Sequence, residues 1–299
     1  MPSIEPRSAG TEIILDGNIW VSRDGNIRRE TIKPTGETLE WMLKTDKSKE
    51  TSTEHYEGRN RAVALESNDS KTKIEFDAIA DDYYRQHAAN IKVTGEDPEY
   101  FHRYKVADSC EYLKHRGRGV NSILDFGSGI GNSVPYFREY FPKTKLYCAD
   151  VSWRSIELSR QRYPGEEVYL QIESSIPVTD QTFDAVYTAC VFHHIPHDEH
   201  IRWMRELLWV TKVGGNIILF EHNPINPLTV RAVNTCPFDV NAKLIRAGVL
   251  RRTILSAGWR DATIEYKVFF PRALAPFRPF EKYLRKACFG AQYRIVAKK

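Results

Sequence analysis

Ile123-Leu124-Asp125-Phe126-Gly127-Ser128-Gly129-Ile130-Gly131-Asn132 decides how the chain is read. An apolar pair runs into an acidic residue and then into glycine at every second position. This is the pattern of a buried strand ending in a tight turn that opens a helix. Glycine has no Cβ, so the backbone can turn sharply there and approach a ligand closely. A strand-to-helix turn that needs glycine only for its own geometry would look the same, so the flanking sequence must separate the two.

Downstream, strand and helix patterns alternate. Strands are expected at Ser122–Phe126, Lys145–Asp150, Glu167–Ile172, Phe183–Val191, Gly215–Glu221, Asp261–Phe269 and Gln292–Ala297. Helices fall at Asn132–Phe141, at Ser152–Tyr163 with Ser152 as its cap, at Asp198–Thr211 and at Ala242–Ala257. Upstream, Ile74–His87 and Tyr100–Leu113 carry apolar and aromatic residues at helical spacing. Alternation of this length implies an α/β fold, a Rossmann-like, mostly parallel sheet of seven strands covered on both faces, with an antiparallel edge strand. Residues 1–43 read as a small β-rich extension, because Asp16-Gly17-Asn18-Ile19 recurs as Asp24-Gly25-Asn26-Ile27 and Asp-Gly favours hairpin turns. Pro34-Thr35-Gly36 could supply a third turn. Residues 44–73 are polar and charged and read as a disordered linker, leaving 74–299 as the main domain.

The 299 residues suffice for a sizeable core, and no apolar stretch approaches the roughly 18 residues of a membrane span. The start, Met1-Pro2-Ser3-Ile4-Glu5-Pro6-Arg7, lacks the apolar core of a secretory signal. Five scattered cysteines form no C-x-x-C pair, so neither a disulfide framework nor a metal site is suggested and a cytoplasmic setting fits. The net charge of +4 is unevenly spread: residues 243 to 299 hold fourteen Lys or Arg against Asp261, Glu265 and Glu281. A solvated basic face or an anionic partner would each account for it.

In open α/β sheets a ligand sits outside the carboxyl ends of the strands, at the switch point. The first strand of the alternation ends in Asp125 and the glycine loop; the second ends in Asp150, twenty-three residues after Gly127. A carboxylate so placed can accept from both ribose hydroxyls of a nucleoside, or it can serve only the helix start at Ser152. Asn132 replaces the last glycine of a dinucleotide fingerprint, and no Walker lysine follows.

With these features the sequence resembles the class I S-adenosylmethionine-dependent methyltransferases, and most closely the bacterial group acting on small molecules and glycans. The resemblance covers about residues 74 to 299. Leu124–Gly131 is similar to the first motif of that family, and Cys148-Ala149-Asp150-Val151-Ser152 to its second. Ile176-Pro177, Phe183-Asp184-Ala185-Val186 and Val191-Phe192-His193-His194-Ile195 match the region around its fourth strand, and Lys212-Val213-Gly214-Gly215 precedes the fifth. Phe76–Tyr83 is similar to its lid helix. By resemblance, Gly127, Ser128, Gly129 and Gly131 would lie under the methionine of S-adenosylmethionine, with Asp125 near its amino group. Asp150 would bind the ribose, with Val151 beside it; Glu173 and Ser174 would flank the adenine; Ala189 would line the cofactor and Tyr83 would close over it. Relatives often carry an aspartate where this chain has Ile172, which leaves the adenine contact least defined.

Methyl transfer from a sulfonium needs alignment above all, and a hydroxyl acceptor adds the need for a base. His194, after the fourth strand, is the base candidate and His222, after the fifth, the second; either could instead order its loop. Acceptor choice would lie in the lid and in the insert His222–Asp239. Phe192-His193-His194-Ile195 stands where amino-directed DNA methyltransferases carry Asn/Asp-Pro-Pro-aromatic, so nucleic acid is disfavoured as acceptor and a small molecule or glycan favoured. In the tail, Phe280, Tyr283, Leu284 and Ala287 share a helical face beside basic residues. That face could pack on the sheet edge, or it could meet an anionic membrane or a lipid-linked glycan, which would make the protein membrane-peripheral. A non-catalytic cofactor-binding module and a nicotinamide oxidoreductase are the competing readings.

Overall fold

The computed structural model describes residues 11–15, 18–23, 26–30, 95–117, 119–236, 239 and 241–299. The expected linker at 44–73, the lid helix at 74–87 with Tyr83, and the turn at Pro34-Thr35-Gly36 lie outside them. Two units are present, a small sheet and a larger α/β domain. In the small sheet, β1 (Thr11–Leu15), β2 (Asn18–Arg23) and β3 (Asn26–Glu30) run antiparallel in that order. Leu15 pairs with Asn18 and Arg23 with Asn26; the two Asp-Gly pairs lie outside the described residues.

The larger domain begins with α1 (Pro98–His115), followed by β4 (Ser122–Phe126), α2 (Val134–Tyr140) and β5 (Lys145–Asp150). Next come α3 (Trp153–Arg162), β6 (Val168–Gln171), β7 (Phe183–Ala189), α4 (His200–Val210) and β8 (Thr211–His222). The chain then forms α5 (Pro227–Asn234), α6 (Ala247–Ser256), β9 (Arg260–Lys267), α7 (Glu281–Leu284) and β10 (Gln292–Lys298). The sheet order is β6-β5-β4-β7-β8-β10-β9. β4 to β8 pair in parallel, and the antiparallel part lies at the β9 edge, where β10 runs against both β8 and β9.

Successive strand residues face opposite sides, and the core follows this period of two. Leu124 and Phe126 of β4, with Ile217 and Leu219 of β8, join one apolar cluster together with α4 and α6. Ile123 of β4, with Ile218 and Phe220 of β8, joins the other together with α1 and α2. Each strand is thus apolar on both faces, as a sheet covered on both sides demands. Asp184 holds the start of β7 in place: its Oδ2 accepts from the Asn121 and Ser122 amides at 2.9 Å each, and Lys212 Nζ lies 2.8 Å from Oδ1.

Two element starts, those of β8 and α6, and the packing of the tail differ most from the expectation. β8 starts at Thr211, directly after α4, rather than at Gly215. Thr211 pairs with Phe183 and Asn216 with Ala185, so Lys212–Gly215 bulge between two paired positions, with Gly214 at φ 78°. α6 starts at Ala247 rather than at Ala242, because the Lys243 amide donates to the His193 carbonyl at 2.8 Å and holds the chain out of the helix. The apolar face of the tail packs only in part: Leu284 and Ala287 are half-buried, Phe280 and Tyr283 are exposed, and the 3-10 helix Arg272–Phe280 and α7 contribute no fully buried residue.

Candidate active site

The carboxyl ends of β4, β5, β7 and β8 meet at the middle of the sheet, where the strand order reverses. The glycine loop follows β4. A Cβ on Gly127 would stand 2.3 Å from Val191 Cγ2, and one on Gly131 would stand 2.0 Å from Ser159 Oγ. Both residues have positive φ, so only glycine lets the loop pack against the β7 turn and α3. Gly129 is different, since a Cβ there meets nothing within 4 Å. The loop therefore opens onto free space at its middle glycine.

Asp150 closes the loop from the next strand. Its Oδ2 accepts from the Gly129 amide at 2.8 Å and its Oδ1 from the Ser152 amide at 2.9 Å, while Ser152 caps α3 through the Ser155 amide. The carboxylate thus serves both the helix start and the ligand loop. Asp125 is buried, and its Oδ2 has no hydrogen-bond partner; neither has the buried Ser128 Oγ. Burial and the neighbouring Asp150 push the Asp125 carboxyl up to about 8, against the pull of Lys105. Two orphaned polar atoms beside an open glycine are what a loop built for a polar ligand should show. Val151 and Ala189 are half-buried at the ends of β5 and β7, and Glu173 and Ser174 lie exposed just past β6. The Ser174 carbonyl accepts from Arg202.

The turn after β7 is organised by Glu221, the penultimate residue of β8. Its Oε1 accepts from the Val191 and Phe192 amides at 3.0 and 2.7 Å, and its Oε2 lies 2.6 Å from His193 Nδ1. His193 Nε2 and His194 Nε2 each lie 3.4 Å from Asp239 Oδ1. Burial alone would lower His193, but Glu221 and Asp239 raise it to about 10, so it is an imidazolium held between two carboxylates. His194 goes the other way: burial and the charge on His193 drive it down to about 3. Glu221 and Asp239, though buried, are both held below the usual carboxylate range by His193. The sequence suggests no metal site, yet among the described residues His193, His194 and Asp239 place ligand atoms within 4.8 Å of one another.

Cys190, at the end of β7, has φ 60°, a strained setting for a residue with a Cβ. Lys105 Nζ of α1 donates to its Sγ at 3.5 Å. Burial would raise this thiol, but His222 and Lys105 bring it down to about 7. His222 lies on the other side, its ring 5.2 Å from that of His193. The structure therefore gathers both histidine candidates at one end of the sheet, and adds Lys105, Cys190, His193, Glu221 and Asp239. Lys105 carries one signal in the sequence: it is a charge on the buried stripe of α1, four residues from both Phe101 and Ser109.

Residues 124–219 match the family model described as a methyltransferase domain. They form a class I S-adenosylmethionine-dependent methyltransferase domain. The methyltransferase domain is 32% identical over 113 residues to the demethylmenaquinone methyltransferase of Thermobifida fusca, covering 36% of this chain and 46% of that protein. It is 27% identical over 111 residues to the tRNA N(3)-methylcytidine methyltransferase trm141 of Schizosaccharomyces pombe, covering 34% and 44%. The chain thus spans about half the length of the curated relatives it matches. A SAM-dependent methyltransferase of Thermotoga maritima shares the fold of the methyltransferase domain, with a TM-score of 0.54 and 16% identity over 76% of this chain and 99% of that one. S-adenosylmethionine is the cofactor of the class, and the orphaned Asp125 and Ser128 atoms beside the open Gly129 suit its polar amino-acid end.

Proposed function

We propose that the chain is an enzyme that transfers the methyl group of S-adenosylmethionine to a small-molecule or glycan acceptor, free or lipid-linked. The observation that carries the reading is the loop of the methyltransferase domain, with Gly129 open, Asp125 Oδ2 orphaned and Asp150 bound to the loop amide. In this reading Gly127, Ser128, Gly129 and Gly131 bed the methionine end of the cofactor, and Asp125 takes its amino group. Asp150 takes the ribose, Glu173 and Ser174 the adenine, and Val151 and Ala189 line the site. The bound cofactor supplies an electrophilic methyl on a sulfonium, so the protein's part is alignment and, for a hydroxyl acceptor, removal of a proton.

For that proton the charges reverse the order of the two candidates. A base is most effective when its pKa lies near the working pH, and His194, near 3, is too weak. His222 stands at the end of β8 with its ring 5.2 Å from that of His193, beside Cys190, and we assign it the base role on position. His194 then positions the acceptor as a neutral imidazole beside Asp239.

Calorimetry with S-adenosylmethionine and with NAD tests the cofactor; binding of NAD alone would overturn the reading. Turnover to S-adenosylhomocysteine with glycan, quinone-type and tRNA acceptors tests the activity. Cofactor binding with no turnover on any acceptor would point to a non-catalytic module. His222→Ala should lower kcat by about 100-fold or more. His194→Gln should act mainly on the KM of the acceptor.

A further inference from the structure

We infer that the connector between β9 and β10 is a docking face for an anionic lipid surface, set on the rim of the candidate active site. The inference rests on the proposed function only in taking that site as the place the surface serves. Gln292 pairs with both His222 and Lys267, so residues 268–291 emerge at the carboxyl end of β8, beside the site. The connector is fastened to the segment after β8. Asn223 Nδ2 donates to the Cys288 and Gly290 carbonyls at 2.8 Å each, and Asn226 Nδ2 donates to the Phe289 carbonyl at 2.7 Å.

On this fastened segment Phe277, Phe280, Tyr283 and Phe289 are 52%, 57%, 74% and 69% exposed. Leu274 is exposed with them, and so are Ile225 and Leu228 around α5, next to Phe289. Large aromatic side chains are rarely left in water in a cluster, and neither the 3-10 helix nor α7 adds a buried residue that would explain them through folding. Charge selects the partner. The stretch holds Arg272, Arg278, Lys282, Arg285 and Lys286 against Glu281. Glu281 is turned inward, where its Oε1 accepts from the Phe269 and Phe270 amides at 2.9 and 3.1 Å. Arg278 is committed to Glu96. Lys282 and Lys286 are exposed and have no ion-pair partner among the described residues; the Lys282 ammonium lies 5.0 Å from the centre of the Tyr283 ring. Exposed aromatics flanked by lysines outside any ion pair suit a bilayer of negative headgroups, with the rings in the interface and the ammonium groups at the phosphates. A second copy of the chain would bring the same basic edge against itself.

The test is co-sedimentation of the full chain, without cofactor, on vesicles of phosphatidylcholine alone and with about 30 mol% phosphatidylglycerol. Binding should require the anionic lipid and weaken with salt. Lys282→Gln with Lys286→Gln should weaken it by about 30-fold, and Phe280→Ser with Tyr283→Ser should abolish it, with thermal unfolding unchanged in both. Equal sedimentation on the two vesicles, or on neither, would overturn the inference. So would a dimer in light scattering that the aromatic variant converts to a monomer. Calorimetry with S-adenosylmethionine on the same preparations keeps the two ideas apart. Lost vesicle binding with intact cofactor binding removes the docking face alone, and the converse removes the methyltransferase reading alone.

Discussion

Asp125 has a titration that cofactor binding should expose. With its carboxyl near 8, it is protonated in the free protein at neutral pH, and a cation beside it would restore the charge. Calorimetry in buffers of different ionisation enthalpy should therefore show release of about one proton on S-adenosylmethionine binding at pH 7, falling towards none above pH 9. Asp125→Asn should remove the release. Asp150→Ala should raise the cofactor Kd by about 10- to 100-fold, and it should also lower stability, because the Gly129 and Ser152 amides lose their acceptor. Both aspartates were legible from sequence, since each ends an apolar run at a fixed distance from the glycines. The charges of His193 and His194 were not. His193 and His194 are adjacent on a three-residue 3-10 turn with their rings 4.1 Å apart and both facing Asp239, and Glu221, which meets only the His193 ring, decides which one becomes the imidazolium. Lys105 showed only as a charge on the buried stripe of α1, a signal that acquires meaning when Cys190 is brought to it.

At the scale of the element, the three glycines of the loop should separate by experiment. Gly131→Ala forces a Cβ onto Ser159 and holds an alanine at φ 79°, and should cost about 2–4 kcal/mol of unfolding free energy in urea. Gly129→Ala meets no neighbour, so it should cost about 1–2 kcal/mol from its left-handed φ alone while weakening cofactor binding more than Gly131→Ala does. The parallel sheet was legible because β4, β7 and β8 are apolar on both faces. The boundaries of β8 and α6 were not, because a bulge and a single amide bond from Lys243 to His193 set them. The tail helix illustrates the limit of periodicity. Its apolar stripe was visible, but a stripe does not say whether a sheet or an outside surface covers it.

For the whole molecule, the buried charges fix how stability depends on pH. His193 is raised, so its contribution is complete below about 6.5 and is lost as pH rises towards 10. Asp125 is also raised, so the native state holds its proton longer than the unfolded chain does and stability falls between about 4 and 8. Glu221 and Asp239 are lowered, and their contribution is lost as pH falls below about 4.5. His194, lowered to about 3, works the other way and offsets the Asp125 fall up to about pH 6.5. The Tm of the free protein should therefore be nearly level from about pH 5 to 6.5 and decline towards pH 8, and Asp125→Asn should flatten that decline. No helix among the described residues is long and apolar enough to cross a membrane. The placing of β10 between β8 and β9 bears on synthesis as well as on shape. β9 leaves the ribosome before the strand that must separate it from β8 exists. Until β10 follows, the nascent domain has an unfilled gap with two bare ladder edges, and chaperone contact in the cell should concentrate at that stage.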